Sequence, residues 1–207
     1  MEASMTKKLL VAGTALSLTF GLTACAQNDS PQTGGEVAAQ SDVQESIPAE
    51  VNATDIHFIA MMTPHHAQAV EMSEIILETE GASEDARDLA QRIKGGQEEE
   101  IVIMRDWADQ WNQQEAMEHH APHVANGMLT PEQMTELKSL SGAEVDTLFL
   151  QLMHFHHAGA IAMTEDQIKN GGYKPLIDLA QQMLDVQTAE MKEIEDILSS
   201  RGEPVTP

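Results

Sequence analysis

Apolar residues recur every three to four positions along most of the chain after residue 53, a period typical of amphipathic helices. The pattern predicts four long helices, over about residues 54–80, 83–114, 143–170 and 174–200, and a short one over about 130–141. Thr54 or Asp55 is the expected N-cap of the first helix. Gly95 and Gly96, inside the second, are expected to allow a bend or close packing. No segment has the alternating pattern of a strand.

Two of the predicted helices carry the same motif, 91 residues apart. The residues Asp55, Phe58, Met62, His65, His66, Ala67, Ala69, Met72 and Glu74 recur as Asp146, Phe149, Met153, His156, His157, Ala158, Ala160, Met163 and Glu165. The similarity extends into the helices that follow, where Gln97 and Glu100 recur as Gln187 and Glu190 at an offset of 90. The repeated unit is therefore a helix hairpin. Two such hairpins bury their apolar stripes best against each other, which predicts an all-α four-helix bundle.

The repeat brings thioether and imidazole groups together on one helix face. Met62 and His66, like Met153 and His157, are four residues apart and so lie one turn apart. Thioether sulfur favours Cu(I) and Ag(I), and imidazole accepts Cu(I), Cu(II) and Zn(II), so a Met and His set without thiolate favours copper over zinc. The predicted metal ligands are Met62, His65, His66, Met72, Met153, His156, His157 and Met163.

Adjacent histidines on a helix diverge by about 100°, so one of each pair is expected to face a neighbouring helix or a second site. The alternative is that the methionines fill the core and that each histidine is hydrogen-bonded to a carboxylate such as Glu100 or Glu190. Further possible ligands lie on the same helices and in the polar connection over residues 115–129: Met61, His154, Met117, His119, His120, His123 and Met128.

Acidic residues dominate the charge of the chain, with 34 Asp and Glu against 11 Lys and Arg and a formal net charge of −23. The chain has no excess of Lys and Arg that could neutralise phosphates, so we expect no nucleic-acid partner. A metal ion is the expected partner.

The N-terminal segment has the pattern of a targeting sequence. Lys7 and Lys8 precede a short apolar run over residues 9–22, and Leu22-Thr23-Ala24-Cys25 resembles the lipobox of bacterial lipoproteins. That resemblance implies a signal peptide over residues 1–24 and a lipid on Cys25, whose two acyl chains would anchor the protein in the cell membrane, facing the periplasm or the exterior. Residues 25–52 have the composition of a flexible tether, 53–201 form the bundle domain, and 202–207 are a loose tail.

Motifs for catalysis are missing from the sequence. No histidine has a glutamate three residues before it, which argues against a di-iron oxidase, and no nucleophile–base motif or phosphate-binding loop is present. We therefore expect a metal-binding protein that is not an enzyme. A structural or interaction module without metal is the alternative, and a metal-dependent oxidoreductase is the weaker third hypothesis.

The blocks over residues 58–72 and 149–163, with residues 127–134 between them, resemble the secreted bacterial proteins of domain-of-unknown-function family 305. The resemblance covers about residues 53–200 and implies a ferritin-like four-helix bundle. Some members of that family bind copper or silver and support metal resistance, so it also implies a copper-binding role in sequestration or transfer. The family motif matches the eight predicted ligands of the two repeats, whereas His154 and the His-rich connection depart from it.

Overall fold

A computed structural model describes residues 47–120 and 126–206. These residues form helices and the turns and connections between them, with no strand among them. The six helices are α1 (Ala53–Glu78), α2 (Glu84–Gln110), α3 (Gln114–His120), α4 (Pro131–Ser139), α5 (Gly142–Asn170) and α6 (Lys174–Arg201). Within this part of the chain, no helix has the length and apolar character needed to cross a membrane. The predicted signal peptide, Cys25 and most of the predicted tether lie outside the described residues.

The four long helices form two hairpins, and the predicted all-α bundle is confirmed. Helix α1 packs against α2, α5 packs against α6, and the hairpins meet where α1 packs against α5. The apolar side chains form two clusters, which we name after a pair of equivalent phenylalanines in the repeat. The Phe58 cluster contains Phe58, Ile59, Met62, Met104, Trp111, Leu176 and Met183, and the Phe149 cluster contains Met72, Leu89, Ile93, Phe149, Met153 and Leu198.

Two buried aspartates at equivalent positions of the repeat join the hairpins. Asp55 accepts hydrogen bonds from the backbone N–H groups of Gly172 (3.0 Å) and Tyr173 (3.2 Å), just before α6. Asp146 accepts from the backbone N–H of Ser83 (3.1 Å), just before α2. Each aspartate, near the start of one hairpin, therefore binds donors at the start of the second helix of the other. This exchange makes α1 and α5 antiparallel and fixes their register.

Some local expectations were wrong. The N-cap of α1 is Asn52, in place of Thr54 or Asp55. Its Oδ1 accepts hydrogen bonds from the backbone N–H groups of Thr54 (2.8 Å) and Asp55 (3.2 Å). The carboxylate of Asp55 accepts in turn from the backbone N–H of Asn52, which completes a capping box. Helix α2 ends at Gln110 rather than near residue 114, and helix α3 occupies part of the polar connection.

Of the two expectations for Gly95 and Gly96, a bend or close packing, the second is wrong. Helix α2 runs through them, and a Cβ built on either residue meets no atom within 4 Å beyond its own helix turn. Alanine has a higher helix propensity because it loses less backbone entropy on folding.

We expect Gly95→Ala and Gly96→Ala each to raise the free energy of unfolding by about 0.5–1 kcal/mol. Urea denaturation followed by circular dichroism measures this. The matched contrast is Gly159→Ala, which we expect to be destabilising because its Cβ would lie 1.6 Å from the carbonyl oxygen of Asn126. Equal effects at the three positions would contradict the packing described above.

Asp55→Ala is expected to lower the free energy of unfolding by at least about 2 kcal/mol, because it leaves buried backbone donors without an acceptor. Asp106→Ala, on the exposed side of α2, is the control, with an expected change within about 0.5 kcal/mol. Chemical denaturation of both variants provides the comparison. A loss at residue 55 no larger than at residue 106 would show that the exchanged aspartates do not hold the hairpins together.

Candidate metal centre

Four buried imidazoles lie where α1 packs against α5. His65 and His66 come from α1, His156 and His157 come from α5, and none of the four residues is more than 1 % exposed. The rings of His65 and His156 face each other with their centroids 3.6 Å apart and their planes tilted by 32°. The antiparallel register set by Asp55 and Asp146 places the two copies of the motif opposite each other, which brings these rings into contact.

The second histidine of each pair faces the other helix of its own hairpin. Nε2 of His66 lies 2.7 Å from Oε2 of Glu100 on α2, and Nε2 of His157 lies 2.8 Å from Oε2 of Glu190 on α6. The divergence of adjacent histidines was expected from the sequence, and the two carboxylate partners are those that the core-filling alternative named. Carboxylates that accept from a ring N–H in this way orient histidine ligands in many metal sites.

These hydrogen bonds decide which ring nitrogens keep a lone pair. Nε2 of His65 donates to the carbonyl oxygen of Asn126 (2.9 Å), and an ionised carboxylate accepts from Nε2 of His66 and of His157. A neutral imidazole has one N–H, so Nδ1 of each of these rings carries a lone pair. These Nδ1 atoms and both nitrogens of His156 are buried and have no hydrogen-bond partner in the described part of the chain. Buried polar atoms are nearly always paired, so this cluster calls for a further partner such as a cation.

Burial holds the facing rings neutral. It lowers the pKa of His65 from 6.5 to about 3, and the charges that His66 and His157 would carry lower it further, against the opposing effect of the bond to Asn126. Burial, followed by repulsion from the other three rings, lowers the pKa of His156 well below its ordinary value. Because metals bind the neutral imidazole, these histidines are ready to act as ligands at neutral pH.

The four predicted methionine ligands are packed among apolar side chains. Met62 belongs to the Phe58 cluster and Met163 packs against it, whereas Met72 and Met153 belong to the Phe149 cluster. The burial of Met62, Met72 and Met153 agrees with the core-filling alternative, whereas Met163 is only partly buried. The buried ring nitrogens, in contrast, lack hydrogen-bond partners among the described residues.

The other predicted ligands lie elsewhere. His154 contacts Glu195 with its Nε2 (3.1 Å) near the surface, Met117 packs against the Phe58 cluster, Met61 lines a cleft described below, and Met128 is half-buried in the connection. His119 and His120 end α3, with side chains that are not described, and His123 lies outside the described residues. Among the described residues, no three or more His, Cys, Asp or Glu side chains are arranged as a ready-made site.

The connection contributes a contact that the sequence did not predict, the carbonyl of Asn126 on His65. It can approach because residue 159 is glycine, where a Cβ would lie 1.6 Å from that oxygen. Gln68, at the equivalent position of the first repeat, fixes the connection through two hydrogen bonds with the backbone of Leu129 (3.1 and 2.7 Å). The signal in the sequence is the difference between Gln68 and Gly159. It lets the carbonyl of Asn126 accept from His65, whereas the connection makes no equivalent contact with His156 among the described residues.

The chain is similar to a known protein family and to several solved structures. The family described as Domain of unknown function (DUF305) matches residues 55–198. A solved structure of a DUF305 protein from Streptomyces coelicolor, described as a candidate secreted protein, shares 29% identity with a TM-score of 0.66 and covers 77% of this chain and 98% of its own. A DUF305 fragment from Deinococcus radiodurans shares 26% identity at a TM-score of 0.63, with coverages of 72% and 98%.

A third solved structure carries a metal. CopM in its Cu(I)-bound form shares 28% identity with a TM-score of 0.58 and covers 70% of this chain and 96% of its own. CopM has also been solved in Cu(II)-bound and Ag-bound forms. No curated protein matches the chain.

The lowered pKa values of the facing histidines predict an acid-sensitive fold. Between about pH 6.5 and 3, the imidazole of His65 is protonated in the unfolded chain but neutral in the folded protein. The free energy of unfolding therefore falls as the pH falls through this range. We expect the free energy of unfolding to fall by on the order of 1 kcal/mol per pH unit for each of the two facing rings. Thermal or urea denaturation of the metal-free protein at pH 7.5 and 5.5 measures it.

His156→Phe serves as the control for this pH dependence. It removes one titrating ring without removing a hydrogen bond seen in the described residues, so the slope of stability against pH should become shallower in this range. An identical slope in the variant would mean that His156 is not held neutral by the fold.

Proposed function

This chain belongs to the DUF305 family, and on that premise we propose that it is a copper-binding protein that holds Cu(I), or Ag(I) by the same chemistry, among the four buried imidazoles. The observation that carries the proposal is the set of buried ring nitrogens without hydrogen-bond partners. A bound cation would accept their lone pairs and relieve the cost of burying them.

The character of the site favours a monovalent ion. Its donors are neutral nitrogens closed off from solvent, and burying a singly charged ion costs less than burying a doubly charged one. Imidazole accepts copper in both oxidation states, but Cu(I) tolerates the low coordination number that facing rings offer more readily than Cu(II) does. The copper- and silver-bound forms of CopM support the same choice of metal.

Glu100 and Glu190 have a defined part in this proposal. By accepting from Nε2, they direct the Nδ1 lone pairs of His66 and His157 away from the second helices, and their charge offsets that of a bound ion. The facing rings are in contact, so an ion would bind at their nitrogen edges rather than between their faces. A small rotation of the rings is thus part of binding.

The biological role that fits is sequestration or transfer of copper outside the cytoplasm. The signal-peptide pattern, the lipobox ending in Cys25 and the description of the Streptomyces coelicolor relative support export, and a lipid on Cys25 would hold the protein at the membrane. We propose a non-catalytic role because the four imidazoles are buried among the described residues, which favours holding a small ion over turning over an external substrate.

A packing module without metal is the competing function. The burial of Met62, Met72 and Met153 and the carboxylate partners of His66 and His157 favour it. A packing module requires only a stable core. It would leave the ring nitrogens of His156 without hydrogen-bond partners, at a cost of about 1–3 kcal/mol each. The two functions predict different behaviour for His156→Phe.

The test is anaerobic titration of the metal-free protein with Cu(I) against a chromophoric chelator. We expect tight binding that loses one equivalent in His156→Phe while the fold is retained, because the phenyl ring fills the same space without donor nitrogens. Glu190→Gln is expected to weaken binding by about 10–100-fold. His154→Gln, which removes a surface histidine outside the cluster, should bind as the wild type does.

The packing module predicts a different set of results. If the wild-type protein binds no Cu(I) tightly, or if His156→Phe binds as many equivalents as the wild type, the histidine cluster is not the copper site. A rise in the melting temperature of the wild type with Cu(I), absent in His156→Phe, would provide independent support.

A further inference from the structure

A cleft of about 210 Å³ between α1 and α5 brings together donor groups that the histidine cluster does not use. His57 and Met61 line it from α1, four residues apart, and Met163 and Asp166 line it from α5, three residues apart. Two thioethers, an imidazole and a carboxylate thus face a common space. The cleft also includes Asn126, whose carbonyl accepts from His65, so it adjoins the buried cluster.

The repeat shows that the fold does not require these polar groups. At an offset of 91, the equivalents of His57, Met61 and Asp166 are Leu148, Leu152 and Ile75, and Met163 corresponds to Met72. Leu152 and Met72 are buried in the Phe149 cluster, and Leu148 and Ile75 pack against it. The same positions of the two halves therefore form apolar core on one side and a donor-lined cleft on the other.

Ordinary core packing does not account for the cleft. Met61 is partly exposed and belongs to neither of the two apolar clusters of the described residues. Gln167, fully buried in the lining, donates through Nε2 to Asp55 (2.6 Å), but its Oε1 has no partner among the described residues. An unsatisfied buried acceptor beside a donor-lined space indicates a missing ligand.

We propose that this cleft is a second metal site, separate from the histidine cluster, that binds a soft monovalent cation through the thioethers of Met61 and Met163. Thioether sulfur selects Cu(I) and Ag(I) over hard cations, and His57 supplies a nitrogen donor that such ions accept. Asp166 adds negative charge, with one carboxylate oxygen already accepting from Nδ2 of Asn170 (2.7 Å). The choice of copper or silver rests on the proposed function, whereas the location rests on the cleft alone.

The test is titration of the metal-free protein with Ag(I), which is not redox-active, followed by competition measurements and by NMR of methionines labelled with ¹³C at the methyl group. We expect two equivalents in the wild type, with the resonances of Met61 and Met163 shifting as the cleft fills. Met61→Leu combined with Met163→Leu should lose one equivalent. The leucine at 61 reproduces Leu152 of the other half, so the fold should tolerate it.

Two further variants separate the sites. Met134→Leu removes a thioether from the Phe149 cluster and should bind as the wild type does. His156→Phe should lose the other equivalent while the Met61 and Met163 resonances still respond to Ag(I). Unchanged stoichiometry in the double leucine variant, or resonances of Met61 and Met163 that do not move, would overturn the cleft site. An equivalent lost only in the double leucine variant, and not in His156→Phe, would instead uphold the cleft and overturn the proposed function.

Discussion

The exchange of hydrogen bonds through Asp55 and Asp146 is the constraint on which the rest of the structure depends. Each carboxylate lies near the start of one hairpin and accepts from the backbone before the second helix of the other. This arrangement allows one antiparallel register of α1 and α5. A shift by a turn would leave buried carboxylates facing apolar surface, at a cost far above that of a lost surface contact. Since both copies of the histidine motif lie on these helices, the same register places His65 against His156.

The buried imidazoles are costly for the fold and useful for chemistry for the same reason. Burial lowers the pKa values of the facing rings of His65 and His156, so these two stay neutral, and ring nitrogens of all four histidines are buried without hydrogen-bond partners in the described part of the chain. The carboxylates of Glu100 and Glu190 stabilise two of the rings and fix which nitrogen carries the proton. A cation bound among these nitrogens, as proposed above, would satisfy them, and metal binding and stability would then be properties of one cluster.

Duplication followed by divergence explains why the two halves differ. The aspartates, the histidine pairs and their glutamate partners are retained in both copies. The aspartates lie near the starts of α1 and α5, and the histidines with their glutamates form the centre of the bundle. Away from the centre the copies differ: Gly159 in place of Gln68 lets the connection reach His65, and Met61 and Asp166 in place of leucine and isoleucine open the cleft. The central elements depend on both halves at once, whereas Met61, Gly159 and Asp166 lie outside the two apolar clusters and can differ from their equivalents singly.

The sequence by itself determined the helices, the repeated hairpin, the bundle and the residue types of the centre, because helical periodicity and a fixed offset are properties of the chain alone. Within the core-filling alternative it also indicated Glu100 and Glu190 as partners of the histidines, since they recur with them at a nearly equal offset. Only the tertiary structure decided that His65 and His156 face each other, that Met62 and Met72 lie among different apolar residues, and that Asn126 covers one ring. The period of a helix fixes which residues share a face, but the rotation of one helix against another and the path of a connection depend on contacts between residues far apart in the chain.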